Sequence, residues 1–258
     1  MTTPTLAPAP GSAPRLRMVR SHALLEARLL ARNGEQLLLA LVIPVLLLVG
    51  GAESGGVVDL GDGRRIDILT PGVLALAVLS TSFTSLAIAT GFERRYGVLK
   101  RLGATPLPRS GLLLGKVGAL LLVEAVQVAL IATVGLILGW QPSPGISGTA
   151  WTLALIVAGT AAFAGLAMLM AGTLRAEATL AAANLLYVVL LLGGAVLVPL
   201  SSYPERIRPL LELLPSTALA EGLRAALDGQ AVDPTHLVVL GAWAVGAGLL
   251  AGRFFRWE

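Results

Sequence analysis

Glu124 is the most chemically distinctive residue of this sequence, because its carboxylate interrupts a long apolar run. An ionisable group in a membrane-length segment is costly to bury, and such groups commonly mark pathways for solutes or protons. Gln127 follows three residues later, and Asn184 and Tyr187 repeat that spacing in another apolar run, so each pair shares one side of a helix. These four residues are the candidate translocation path. Each pair is equally suited to joining two packed helices.

The sequence offers little for a catalytic site. It contains no cysteine and only two histidines, His22 and His236, which are far apart. The short motifs of zinc proteases and serine hydrolases do not occur in it. The glycine-containing segment 111–117 is one residue too short for a phosphate loop and has Val117 where Ser or Thr must bind Mg²⁺. We therefore predict that the chain is not an enzyme and has no catalytic or metal-binding residues.

Polar residues are sparse because the chain has the composition of a membrane protein. Its residues are 55% hydrophobic and 13% charged, whereas soluble domains carry roughly 25% charged residues. A helix needs about 20 apolar residues to span a bilayer. Six stretches reach or approach that length, which predicts an all-α membrane protein with one six-helix transmembrane domain over residues 15–258. The predicted spans are 36–52, 68–92, 117–139, 146–174, 178–203 and 235–252.

The positions of the charges predict the orientation of this bundle. If all six stretches cross the membrane, 14 of the 19 lysines and arginines fall on the side that holds both termini, and basic loops favour the cytoplasm. We therefore expect cytoplasmic termini in a multi-pass protein of the plasma or inner membrane. Membrane insertion accounts for the net charge of +4 without a nucleic-acid partner. Residues 1–14 are rich in Pro, Ala and Thr, which predicts a disordered tail.

Helical patterns also occur outside the spans. Residues 16–33 have an apolar stripe at three-and-four spacing beside several arginines, which predicts an amphipathic helix in the membrane interface that contacts lipid. Residues 204–214 and 216–228 have turn residues at their ends and an apolar side, which predicts two short outer helices between spans five and six. These outer helices either form a lid that lies on or dips into the membrane, or pack against the bundle for stability.

A basic segment lies between spans two and three. Its spacing predicts one short helix over 92–102 that ends at Gly103, before two prolines. Arginines lie off its apolar side, so the segment either binds a cytoplasmic protein or only orients the bundle by its charge. The apolar side consists of Phe92, Tyr96, Leu99 and Leu102.

Together these features resemble the permease subunits of ABC-2 type exporters, such as the daunorubicin-resistance permeases. The resemblance covers nearly the whole chain after the tail. It rests on the basic helix before span one, the six spans, the proline-rich loop before span six, and the segment Glu93-Arg94-Arg95-Tyr96-Gly97-Val98-Leu99-Lys100-Arg101-Leu102 followed by Thr105-Pro106. In that family this loop forms a coupling helix that docks on a separate ATPase subunit. The coupling residues that the resemblance implies here are Glu93, Arg94, Arg95, Tyr96, Leu99, Leu102 and Pro106.

The resemblance also implies partners and an activity. A separate ABC ATPase would bind ATP and Mg²⁺, so no cofactor is expected on this chain. The permease would pair with a second copy or with a similar permease, and a path at their interface would be lined by spans one, two and five. A hydrophobic or amphiphilic substrate, such as a drug, a lipid or a glycan, would move outward. The residues by themselves also allow a lipid-modifying membrane enzyme or a non-transporting assembly subunit.

Overall fold

The computed structural model describes residues 13–32, 34–53 and 64–255, without the side chains of residues 35–39 and Arg109. The predicted disordered tail therefore lies almost entirely outside the described residues. Every regular element within the described ranges is helical. The α-helices are α1 (Arg15–Arg32), α2 (Gly34–Glu53), α3 (Arg65–Leu79), α4 (Leu86–Arg95), α5 (Val98–Gly103), α6 (Arg109–Ile137), α7 (Gly145–Thr173), α8 (Ala176–Gly193), α9 (Arg208–Leu211), α10 (Pro215–Leu227) and α11 (Thr235–Phe254).

Among the described residues, five helices are long and apolar enough to cross a membrane. This confirms an all-α protein with several membrane-spanning helices. Helix α2 has 20 residues, and the part of it with described side chains, Ala40–Glu53, is apolar. The count of six spans stays a prediction. The five helices are Arg65–Arg95, Ser110–Ile137, Gly145–Thr173, Ala176–Gly193 and Thr235–Phe254.

The helix Arg65–Arg95 is the most buried of these five. It consists of α3, a π-helical segment (Ser80–Ser85) and α4. Helices α2, α6, α7, α8 and α10 all pack against it. Phe83 of the π-helical segment and Phe163 of α7 are both fully buried in the core. π-helical turns are rare and occur frequently at functional sites, so the polar residues of this segment are candidates for a functional role.

The bundle has two distinct ends. At the α1 end, α1 packs along the beginning of α6, where Gly115 and Gly118 face His22 and Ala23. At the α10 end, α10 packs against α3, α7 and α11 and is buried along nearly its whole length. The second outer helix thus packs on the bundle, and its depth relative to the membrane stays a prediction. The first outer helix is shorter than predicted, since α9 has only four residues.

Two helix ends differ from the predicted span boundaries. Helix α6 begins at Arg109, ahead of the predicted span start at 117, after the extended residue Pro108, and Lys116 therefore lies inside the helix. Helix α8 ends at Gly193 rather than at residue 203. The chain turns there because Gly194 follows and Ala195 has a left-handed φ of 51°, a conformation that helix-forming residues rarely adopt.

The single helix predicted over 92–102 was also wrong. Residues 92–95 form the last turn of α4, and α5 begins at Val98. Gly97 separates them with a φ of 69°, which glycine adopts readily because it has no Cβ. This break rotates the two parts relative to each other: Tyr96 is 67% exposed, whereas Leu99 is fully buried. The predicted apolar side is therefore not one continuous surface.

Candidate functional site

Four ionisable side chains from three helices meet at the α1 end and form what we term the Lys116 cluster. Lys116 of α6 is only 3% exposed. Its Nζ donates to Glu26 Oε1 of α1 at 3.1 Å and to Glu93 Oε1 of α4 at 2.9 Å. The fourth member, His22, has its Nε2 3.4 Å from Glu26 Oε1. Because one ammonium holds two carboxylates, Lys116 ties α1, α4 and α6 together.

His22 contributes an imidazole ring to this cluster. Burial lowers the pKa of His22, Lys116 lowers it further, and Glu26 acts in the opposite direction. Burial and the neighbouring lysine therefore favour the uncharged form of the ring. A Cβ at Gly115 would lie 2.4 Å from His22 Cδ2, so the contact of α1 with α6 requires glycine there.

Gly115→Val will loosen α1 from α6. The added side chain overlaps the ring of His22, and overpacking of this kind costs about 1–3 kcal/mol. We expect trypsin to cleave the arginines of α1 roughly tenfold faster in membrane vesicles. Gly241→Val is the matched control, because a Cβ at Gly241 meets nothing within 4 Å. Equal cleavage of the two variants would show that α1 does not depend on this contact.

The charged residues of the predicted coupling segment are engaged within the chain. Arg94 donates to the carbonyl oxygen of Leu174, in the turn between α7 and α8. Arg95 forms an ion pair with Glu177 at the start of α8, and Glu93 belongs to the Lys116 cluster. These three residues therefore anchor the end of α4 to its neighbours.

The exposed residues beyond α4 form a separate surface, which we term the 96–106 surface. The ring of Tyr96 stacks on Phe92 with centroids 6.1 Å apart, and Arg95 Cζ lies 5.9 Å from the Tyr96 centroid. Leu102 is half-buried and Leu99 is buried below this surface. The surface combines an aromatic ring, an aliphatic side chain and two positive charges. Its residues are Tyr96, Val98, Lys100, Arg101 and Pro106.

The first predicted pair of the translocation path lies in a buried polar contact between helices. Glu124 is buried and accepts hydrogen bonds from Ser82 of the π-helical segment and from Thr160 of α7, the latter at 2.5 Å. Gln127 accepts from Thr81 Oγ1 at 3.0 Å and donates to the carbonyl of Ala40 at 3.0 Å. The pair thus joins α6 to three other elements.

The second predicted pair lies apart from these contacts, on α8. Asn184 is exposed, and its Nδ2 donates to Leu180 of its own helix at 2.9 Å. Tyr187 is half-buried against the core. The first pair therefore makes buried contacts between helices, whereas Asn184 of the second pair bonds only within its own helix. A role for either pair in translocation stays a prediction.

Arg224 of α10 organises the opposite end. It is buried, and its guanidinium donates to the carbonyls of Ala195 at 2.8 Å and Val196 at 2.6 Å, in the turn after α8. It also pairs with Glu221, which accepts from the Leu200 N–H at 3.1 Å. Burial lowers the pKa of Arg224, and Glu221 opposes that shift. This Arg224 clamp joins α10 to the turn that ends α8.

Most of the chain matches a known family. Residues 17–227 match the family model described as ABC-2 type transporter. The chain belongs to the ABC-2 type transporter family. This confirms the resemblance inferred from the basic segment and the loop before the last helix. The chain is therefore a transmembrane component of an ABC transporter and not itself its catalytic part.

Two similar proteins are also described as ABC transporter permeases. Two proteins described as "Probable doxorubicin resistance ABC transporter permease protein DrrC" come from Mycobacterium tuberculosis strains CDC 1551 / Oshkosh and ATCC 25618 / H37Rv. Each is 27% identical over 254 residues, which cover 92% of this chain and 87% of the relative. The likeness thus extends over nearly the whole length of both proteins.

Several residues that organise the ABC-2 permease escaped the sequence analysis. Glu26 is the one acidic residue of α1, and Glu221 and Arg224 are the two charged residues of α10. An isolated charge on an apolar helical face was the available signal, because buried charges need partners. Lys116 lies just before the predicted span 117–139. Sequence spacing could not identify the partner of any of them.

Proposed function

We propose that this chain is the permease subunit of an ATP-driven exporter that moves a hydrophobic or amphiphilic substrate outward across the cell membrane. Both termini and the α1 end would face the cytoplasm, as the distribution of basic residues favours. The observation that carries the proposal is the Lys116 cluster. Through Glu93 it connects the segment next to the 96–106 surface with α1 and α6, so a push on that surface would reach three helices.

The 96–106 surface is proposed to dock on a separate ABC ATPase. Aromatic and arginine side chains are the residues that most often dominate protein interfaces, and Tyr96 and Arg101 are both exposed. ATP and Mg²⁺ would bind to that partner. Glu93, Arg94 and Arg95 would transmit motion rather than make the docking contacts, because their partners lie within the chain.

The substrate path is proposed to run beside a cleft between α2 and α8. This cleft has a volume of about 450 Å³, with Leu46 and Leu47 on one wall and Leu191 and Leu192 on the other. Tyr203 and the partly buried Arg65 contribute its polar groups. A second copy, or a similar permease, would cover this side and enclose a path between spans one, two and five. The apolar walls favour amphiphiles, in line with the drug resistance for which the relatives are named.

Co-purification from the native membrane tests the proposal. We expect a separate ATPase with Walker motifs to accompany the wild-type chain. Tyr96→Ala combined with Arg101→Glu should weaken that association by about tenfold or more, since both residues are typical interface hot spots. Leu210→Ala combined with Arg206→Glu, both at exposed positions outside this surface, serves as the control. A partner that does not hydrolyse ATP would instead favour an assembly subunit.

Glu93→Ala combined with Arg94→Ala should separate transmission from docking. The double variant removes the contacts to Lys116 and Leu174 but leaves the 96–106 surface unchanged. We expect normal membrane insertion, retained ATPase and loss of export, measured as substrate uptake into inverted vesicles. Export at the wild-type rate would exclude a role of this anchor in coupling.

A further inference from the structure

A crevice adjoins the Lys116 cluster and extends from it towards the middle of α6. It has a volume of about 190 Å³, somewhat more than the roughly 150 Å³ of an apolar cavity that holds benzene. Its walls come from α1, α2, the π-helical segment, α4 and α6 and are mainly aliphatic, with Thr81 and Ser85 as polar exceptions. Along α6 it extends from Lys116 to Val123, a rise of about 10 Å. The crevice is therefore long enough for part of an alkyl chain lying along the helices.

The polar end of this crevice has an excess of negative charge. Among its described lining residues, the charged ones are Glu26, Glu93 and Lys116. The side chains of Glu26 and Glu93 are 14% and 23% exposed, whereas that of Lys116 is 3% exposed. Lys116 contacts both oxygens of Glu93 and Oε1 of Glu26, which leaves Oε2 of Glu26 for a second donor. A ligand that enters the crevice therefore has better access to the glutamate side chains than to the lysine.

We propose that the crevice binds an amphiphile with a single ammonium head group. The head would lie between Glu26 and Glu93, and the apolar tail would extend past Ala89 towards Val123. An anionic head group would add a third negative charge to two carboxylates in a medium of low dielectric constant. A neutral head group would leave the charge excess uncompensated. The role of this site in transport rests on the proposed function, but binding itself does not.

A ligand bound in the crevice would act directly on the coupling segment. An ammonium bound to Glu93 competes with Lys116 for the same carboxylate, and Glu93 immediately precedes the anchoring residues Arg94 and Arg95. The ligand would thus weaken the link between α4 and α6. The site is therefore placed both to admit an amphiphile from the cytoplasmic leaflet and to report its presence to the docked motor.

Photolabelling of the permease in nanodiscs of zwitterionic lipid tests the binding. The probe is dodecylammonium with a diazirine at the end of its tail. We expect saturable labelling of peptides from α4 and α6 that unlabelled dodecylammonium displaces, whereas dodecanol and dodecyl sulfate do not. Uniform labelling of the lipid-facing helices, or equal displacement by all three compounds, would overturn the proposal.

Three variants refine this test. Glu26→Gln leaves Lys116 paired with Glu93 and should raise the concentration for half-maximal labelling about tenfold, since one charged hydrogen bond is lost. Ala89→Leu fills the crevice without changing its charge and should abolish the saturable labelling. Glu205→Gln, an exposed residue far along the chain, should behave like the wild type. Unchanged labelling in both crevice variants would also overturn the proposal.

The complex with the ATPase distinguishes this inference from the proposed function. Dodecylammonium should alter ATP hydrolysis by the wild-type complex but not by the Ala89→Leu complex. If the crevice is labelled selectively and no ATPase co-purifies, the binding site stands and the exporter assignment fails. If the ATPase co-purifies and labelling shows no head-group selectivity, the exporter stands and the ammonium site fails.

Discussion

Replacing Lys116 with methionine will abolish export while the ATPase stays bound. Without the ammonium, the carboxylates of Glu26 and Glu93 face each other in a nearly dry environment, where removal of one partner of a buried ion pair costs about 3–5 kcal/mol. We expect α1 to separate from α4 and α6, so motion at the 96–106 surface no longer reaches the bundle. Transport into inverted vesicles and ATP hydrolysis by the purified complex measure the two effects separately.

A triple variant shows whether the instability of Lys116→Met comes from the unpaired carboxylates or from the changed shape of the side chain. Glu26→Gln, Glu93→Gln and Lys116→Met together remove all three charges and leave side chains of similar size. This triple variant should recover much of the thermal stability that the single variant loses, because non-additivity is expected among residues in one network. A single variant that exports normally, or a triple variant as unstable as the single one, would contradict the assigned role of the cluster.

Arg224→Ala should cause the largest loss of stability at the opposite end. It leaves the carbonyls of Ala195 and Val196 and the carboxylate of Glu221 without the donor they share. Breaking a buried pair in this way costs about 3–5 kcal/mol, which corresponds to a fall in melting temperature of roughly 10 °C for a chain of this length. Thermal unfolding of the permease in detergent measures the shift.

Two further variants make this result specific. Arg224→Lys keeps the positive charge but cannot form the fork of hydrogen bonds that a guanidinium provides, so its melting temperature should lie between those of Arg224→Ala and the wild type. Arg206→Ala removes an exposed arginine from the segment between α8 and α9 and should change the melting temperature little. If Arg206→Ala were as destabilising as Arg224→Ala, the clamp would not be the source of the effect.

Close approach of the backbones explains why the clamp needs its particular neighbours. A Cβ at Gly72 of α3 would lie 2.2 Å from the carbonyl oxygen of Val196, so only glycine allows α3 to touch the turn that Arg224 binds. Arg224 Nε also lies 3.4 Å from the carbonyl oxygen of Ile68. The clamp therefore fixes the beginning of α3 as well as the end of α8, and both helices are elements of the proposed path.

The long helices and the family were predictable because both are encoded locally. Apolar length and the positions of basic residues lie along the chain, and the segment around Glu93 and Tyr96 is contiguous in sequence. The roles within that segment were harder to predict. Gly97 breaks the helix there, so Leu99 is buried and Tyr96 is exposed. Helical spacing alone assumes that no such break occurs.

The sequence by itself determined the class of protein, the positions of most helices, the family and the presence of a costly carboxylate at Glu124. The tertiary structure alone decided which charges meet. Lys116 lies 90 residues from Glu26 and 23 from Glu93 along the chain, and Arg224 lies 29 residues from Ala195. Ion pairs form wherever burial makes an unpaired charge unfavourable, and which helices are buried together is settled by packing, not by spacing in the sequence.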